Sequence, residues 1–243
     1  MLRPAAGIPV AEIVLFPHAG AYPGTYHQLA AWLPGTVSVR VVTPRATCAG
    51  VAEIAEALGA HSEALADVRP QARPRLPRLF AGHSLGGLLA WQVTAALDGA
   101  ALPDILVLSA ALPPEVTRDR LRRSSLLDDL GLLRHLRDTG SLDGAAADND
   151  KLRDYYLKAY REDVRLALDR FPLSASPVGV PVLTMCGTAD PVASCAEVRR
   201  WEQHTTGPVE HVCVPGGHDY FYTAPQVATV LSQALAGARR PTP

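Results

Sequence analysis

The sequence offers almost no net charge to a partner. Its 23 Lys and Arg stand against 24 Asp and Glu, a formal charge of -1 over 243 residues, which removes the broad basic field that nucleic-acid binding draws on. Lysine is nearly absent, with Lys151 and Lys158 its two instances. Long apolar runs are missing too: no stretch approaches the roughly 20 residues that span a bilayer. The N-terminus has no basic start followed by the apolar core of a signal peptide. The four cysteines, Cys48, Cys186, Cys195 and Cys213, make no C-x-x-C pair and no Cys/His ligand spacing, so neither a zinc site nor a disulfide framework is expected. Together these absences predict reduced thiols in a cytoplasmic protein that engages neither membrane nor nucleic acid.

What is present is apolar and regularly punctuated. A hydrophobic share of 48% describes a globular chain, and α/β enzymes commonly reach this length around one core, so residues 1–243 are expected to form a single domain. Short apolar runs at 13–16, 37–43, 79–82, 105–109, 182–186 and 209–214 have the length and bulk of buried parallel strands. Helical spacing separates most of them, as at Val51, Ile54, Leu58, Leu65 and Val68, and again from Leu85 to Leu97. The alternation predicts an α/β fold with a mostly parallel, doubly wound sheet. Residues 112–171 break the rhythm with helical patterns and no convincing strand, which predicts an inserted helical lid. A Gly-, Ala-, Asp- and Asn-rich break at 140–150 divides it as a flexible joint. Residues 69–78 read as a proline-rich loop, and the tail from Gly237 as frayed.

The chemistry is expected at Gly82-His83-Ser84-Leu85-Gly86. A serine hydroxyl needs a neighbouring base and an exposed backbone geometry to act as a nucleophile. Two glycines flanking it suit a sharp turn from strand into helix, where side chains have no room. In such hydrolases the acid and then the histidine follow in chain order. Asp190 lies just past the strand at 182–186, and His218 follows the strand at 209–214 and the turn Pro215-Gly216-Gly217. His218 is therefore expected to take the proton of Ser84, with Asp190 orienting its ring. Asp219 and Asp163 are the rival acids, and both rank below Asp190. The oxyanion donors are expected to be the N–H of Leu85 and that of Ala19, with Gly20 the alternative to Ala19. His18 and His83 adjoin the site and are expected to shape its loops. The remaining histidines and all four cysteines read as packing or surface groups.

Four segments, Phe16-Pro17-His18-Ala19-Gly20, Gly82-His83-Ser84-Leu85-Gly86, Gly187 to Asp190 and Gly216-Gly217-His218, make the chain resemble the type II thioesterases of polyketide synthase and nonribosomal peptide synthetase systems, members of the α/β-hydrolase superfamily. Residues 160–166 resemble that family's Arg-Ala-Asp stretch. The resemblance implies hydrolysis of acyl groups from the phosphopantetheine arm of an acyl carrier protein or peptidyl carrier protein, no metal and no bound cofactor, with the family's triad at Ser84, Asp190 and His218. Three departures stand out. Ala21 replaces the last glycine of the family's His-Ala-Gly-Gly, Thr43-Pro44-Arg45 replaces Pro-Gly-Arg, and Asp219 intervenes between His218 and Tyr220-Phe221-Tyr222.

The same three residues would serve a chain-releasing cyclase or acyltransferase, or a small-molecule esterase, and a silent carrier-protein binder is the non-enzymatic alternative. Residues 113–137 hold six arginines against four acidic residues. The small excess fits either a solvated helix face or a docking surface for an acidic carrier protein centred on Arg122 and Arg123.

Overall fold

The computed structural model describes residues 3–6, 8–22, 24–67, 75–142, 148–171 and 176–238. Six strands form one sheet in the order β2-β1-β3-β4-β5-β6, and every neighbouring pair is parallel. They are β1 (Ala11–Phe16), β2 (Val37–Val41), β3 (Arg78–His83), β4 (Ile105–Ser109), β5 (Val182–Gly187) and β6 (Val209–Val214). All residues of β1, β3 and β5 are buried, as expected of parallel strands covered on both faces. The expected strand at 37–43 stops at Val41, because the chain turns at Thr43 (φ -126°, ψ 67°) and Pro44 opens the next helix.

Helices α1 (His27–Trp32), α2 (Pro44–Thr47), α3 (Val51–Asp67) and α4 (Leu85–Ala95) occupy the first half. Residues 85–94 of α4 are all buried, and a helix that is apolar all round has its place inside a core. The strand order reverses beside β1. The chain leaves β1 toward β2 and leaves β3 toward β4, so the loops after these two adjacent strands diverge and open a crevice at their carboxyl ends.

The described residues between β4 and β5 are mostly helical, in line with the sequence pattern: α5 (Pro114–Ser125), α6 (Asp129–Asp138) and α7 (Asp150–Arg170). The Asp128 side chain caps α6 by accepting from Gly131 N at 2.7 Å, and Asn149 caps α7 by accepting from Lys151 N at 3.0 Å, each supplying an acceptor that a helix start lacks. Leu132, Leu136, Tyr156 and Leu157 form a hydrophobic cluster separate from the main core. Arg161 pins α7 to Asp129 at 2.6 Å. Of the expected joint at 140–150, residues 143–147 lie outside the described residues, as do 69–74 of the expected loop and 239–243 of the tail. Helices α8 (Cys195–Arg199), α9 (Tyr220–Thr223) and α10 (Pro225–Gly237) complete the chain. No helix among the described residues is long and apolar enough to cross a membrane.

Candidate active site

Ser84 occupies the single residue between the end of β3 and the start of α4. Its backbone sits at φ 54°, ψ -122°, a region that costs a residue with a side chain about 1–3 kcal/mol and persists where the surroundings enforce it. The surroundings are two glycines. A Cβ on Gly86 would lie 2.0 Å from Phe16 O, and one on Gly82 would lie 2.2 Å from Gly86 O. The loop after β1 is thus pressed against the turn, and Ser84 N donates to Ser109 O at 2.8 Å on the other side.

The three residues expected to cooperate meet in one line of hydrogen bonds. Ser84 Oγ is 3.1 Å from His218 Nε2, and His218 Nδ1 is 2.9 Å from Asp190 Oδ2. Asp190 and His218 are both buried. The second oxygen of Asp190 accepts from Val192 N at 2.7 Å and Ala193 N at 3.0 Å, which fixes the carboxylate without engaging the oxygen that faces the ring. Serine, base and orienting acid at these separations match the geometry needed to activate a hydroxyl. Of the rival acids, Asp219 is half-buried at the start of α9, and Asp163 faces elsewhere.

Asp163 organises the loop after β1. Its Oδ2 accepts from Gly20 N at 2.8 Å and from Arg45 Nη1 at 2.5 Å, while Arg45 Nη2 donates to Ala21 O at 2.8 Å. The Gly20 N–H is therefore committed, which leaves Ala19 rather than Gly20 as the free donor candidate in this loop; Ala19 and Leu85 both line the cavity with Ser84. Gly20 adopts φ +83° against the Tyr156 ring, and Tyr156 Oη donates to Ala19 O at 3.3 Å. Burial raises the Asp163 carboxyl to about 6 despite the bonds from Gly20 and Arg45. The positioning role of Arg45 was not anticipated. Its one sequence signal was its place four positions past β2, in the altered Thr43-Pro44-Arg45 run.

His18 and His83 are ring-packed, as expected of loop-shaping residues. His83 stacks on Phe221 at 5.3 Å with an interplanar angle of 4°, and its Nδ1 is 3.0 Å from Ser109 Oγ. His18 stacks on Tyr222 at 5.0 Å, with Nδ1 2.8 Å from Tyr26 Oη. Burial lowers the pKa of both rings, that of His18 to about 3, with the nearby His218 acting in the same direction. Neutral imidazoles thus back the His218 loop.

A cavity of about 490 Å³ opens from Ser84 and His218 beneath the helices that follow β4. Leu112, Leu121, Leu127 and Leu136 supply apolar wall, and Arg123 and His135 also line it. Arg120, part of the arginine-rich stretch, is occupied: it donates to Val192 O and, at 3.0 Å, to Glu197 Oε1.

The cysteines correct the expectation of reduced, unconnected thiols. Cys186 and Cys195 are joined by a disulfide, and the Cys213 sulfur lies 3.4 Å from each of them. The bridged pair is nine positions apart and Cys195 is 18 positions from Cys213, spacings that match no short motif. The strand register and the return of the loop bring them together. Cys48 is exposed and free.

A family model described as Thioesterase domain matches residues 11–235. The chain is 30% identical over 246 residues to the AMB antimetabolite synthetase AmbE of Pseudomonas aeruginosa, covering 96% of this chain and 11% of that protein. It is 32% identical over 232 residues to a probable cadicidin biosynthesis thioesterase of Streptomyces griseus, covering 92% of this chain and 62% of that protein. The chain thus spans less than two thirds of the length of either relative. Among solved structures, the RedJ thioesterase from the prodiginine biosynthetic pathway of Streptomyces coelicolor is similar with a TM-score of 0.71 at 25% identity, over 96% of this chain and 94% of that one. The type II thioesterase BorB from the borrelidin biosynthetic cluster is similar with a TM-score of 0.72 at 26% identity, over 96% of both chains.

Proposed function

The chain belongs to the thioesterase family, and from that membership we propose that it hydrolyses acyl thioesters held on the phosphopantetheine arm of acyl or peptidyl carrier proteins, through an acyl intermediate on Ser84. The observation that carries this reading is the hydrogen-bonded line Ser84–His218–Asp190 at the end of a largely apolar cavity. His218 Nε2 takes the hydroxyl proton as Ser84 Oγ attacks the thioester carbonyl. The N–H groups of Leu85 and Ala19 receive the developing oxyanion. The phosphopantetheine thiolate leaves with the proton returned by His218, and water activated by the same ring releases the acid. Asp190 holds the ring in the required orientation throughout.

The names of relatives support the substrate class: a probable cadicidin biosynthesis thioesterase and the type II thioesterase BorB of the borrelidin cluster both belong to biosynthetic systems. Within one domain, helices α5 to α7 act as the lid over the acyl chain, whose apolar wall they supply. A cytoplasmic location belongs to the same proposal, because carrier-bound intermediates are made inside the cell. The test is incubation of acyl-loaded carrier protein with wild type and S84A, with mass spectrometry of the carrier, the adduct and the small product. Release of free acid by wild type, with an acyl adduct on Ser84 and neither in the variant, is expected. Equal turnover by both proteins, or a cyclised product in place of the acid, would overturn the reading.

A further inference from the structure

The three clustered cysteines sit at both ends of the segment that carries Asp190. Cys186 lies on β5, one residue before the strand ends at Gly187, and Cys195 opens α8. Between them, residues 188–194 hold Asp190 and the two backbone donors that fix its carboxylate. The disulfide closes this loop at its base. Arg120 of α5 reaches the same loop at Val192 O and the following helix at Glu197, so the bridge also anchors a contact from the helices above the cavity. Cys213 stands alongside on β6, exposed and unbridged.

A second pairing is already prepared. Cys186 and Cys213 are direct register partners on adjacent parallel strands. Neighbouring strands lie about 4.7–4.9 Å apart, inside the roughly 4.4–6.8 Å between Cα atoms that a disulfide accepts. Their sulfurs are 3.4 Å apart, on the same face of the sheet. Cys186 is thus within reach of two partners and can bond to one at a time.

We propose that Cys186, Cys195 and Cys213 form a thiol–disulfide exchange site that ties or releases the loop carrying Asp190. The functional part rests on the reading of Asp190 as the acid of the Ser84 line. In the exchange, the Cys213 side chain swings from beside the bridge, where its sulfur is 3.4 Å from both partners, into line with the Cys186–Cys195 bond. Its thiolate then attacks Cys186 Sγ, and the Cys186–Cys213 bond forms as the Cys186–Cys195 bond breaks. The electron pair leaves on Cys195 Sγ, which takes up a proton, so the step is balanced without an external oxidant. A small disulfide of the glutathione class forms the first bridge, gaining the two electrons that the protein thiols give up. Cys195 is only partly buried, so the departing thiolate meets solvent. After exchange, the carboxyl end of the loop keeps its hydrogen bonds, those from Arg120 among them, but loses its covalent tie, and Asp190 loses a rigid support on one side. Disulfides in reducing compartments tend to be transient or redox-sensing, and an exposed third thiol in contact with the bridge supplies the route.

Two variants separate the states. C213S retains the pair Cys186 and Cys195, whereas C195S can form only the exchanged Cys186–Cys213 bridge among these three. Wild type and both variants are equilibrated across ratios of reduced to oxidised glutathione, trapped with N-ethylmaleimide at low pH and mapped by mass spectrometry of unreduced peptides. Wild type is expected to show both bridges, with the label on Cys213 in one population and on Cys195 in the other. Oxidised C195S is expected to form its bridge and to have a kcat about tenfold below oxidised C213S at similar KM, since small displacements of a reacting group cost this much or more, and reduction of C213S is expected to lower its kcat reversibly. Labelling of Cys213 alone at every ratio, or labelling of all three cysteines with no bridge at any ratio, would overturn the exchange. Equal kcat in oxidised C195S and C213S would overturn its control of Asp190. Fluorophosphonate labelling of Ser84 separates these failures from failure of the catalytic reading: without labelling in any form, the link to Asp190 falls while the bridge map still decides the exchange.

Discussion

The Gly20 N–H and Asp163 Oδ2 meet at 2.8 Å across 143 residues of sequence, and this bond decides which backbone donor the loop after β1 has left to offer. Asp163 holds Gly20 while Arg45 holds both Asp163 and Ala21 O, so the peptide plane between Ala19 and Gly20 is fixed from outside the site. D163A is expected to lower kcat about tenfold with KM within twofold, less than the 10²–10³ seen when an oxyanion donor itself is removed. D163N keeps an acceptor for Gly20 and is expected to recover most of the loss. A KM effect in D163A without a kcat effect would assign Asp163 to substrate binding instead.

Asp190 and Asp219 give a second comparison. D190N leaves an amide beside His218 Nδ1 and favours the wrong tautomer, so kcat is expected to fall by about 10³–10⁴. D219N is expected to stay within threefold of wild type. Steady-state kinetics on the same acyl thioester decide between the two acids, and the reverse ranking would move the acid to the His218 loop itself.

The glycines of the turn predict a stability contrast. G86A must displace the backbone at Phe16 O, 2.0 Å from the new methyl, and is expected to abolish soluble expression. Gly59, inside α3, has nothing within 4 Å of the added atom, so G59A is expected to stabilise the fold by about 0.5–1 kcal/mol through lower chain entropy. Soluble yield checks the first, and a circular dichroism melt of purified G59A against wild type checks the second.

Much of this architecture was legible because its signals are local. The run at 105–109 coincides with β4 residue for residue, since a buried parallel strand is apolar throughout. The run at 209–214 coincides with β6 as well, although Glu210 and His211 interrupt it and only Val214 is buried at this edge of the sheet. The line from Ser84 through His218 to Asp190 was legible because each residue sits in the turn that follows a strand, and parallel strands deliver their carboxyl ends to one side. What stayed hidden depends on contacts between distant segments. Arg45 finds Asp163 only when α7 lies over the loop after β1. The Cys186–Cys213 pairing appears only when β5 and β6 align in register, and no spacing rule for cysteines encodes a register.

His18 yields a prediction about pH. Burial holds its pKa at about 3, below the ordinary value near 6.5, so folding favours the neutral ring. Above pH 6.5 both folded and unfolded chains carry the neutral form, and the stabilisation is fully present. As pH falls through the window from 6.5 to 3, the unfolded chain takes up a proton that the folded chain refuses, and stability is lost. At pH 5 the loss from this one residue is about 2 kcal/mol, from 1.36 kcal/mol per pKa unit over roughly 1.5 units. H18Q removes the titrating group, so the difference in urea-unfolding free energy between pH 7.5 and pH 5 is expected to shrink by about that amount. The buried His83 contributes in the same direction and is present in both proteins; His18 is only the third cause of its shift, after burial and His218, so most of its contribution cancels from the comparison. Parallel pH dependences for wild type and H18Q would mean that His18 protonates in the folded state, in which case the stack on Tyr222 would have to accommodate an imidazolium.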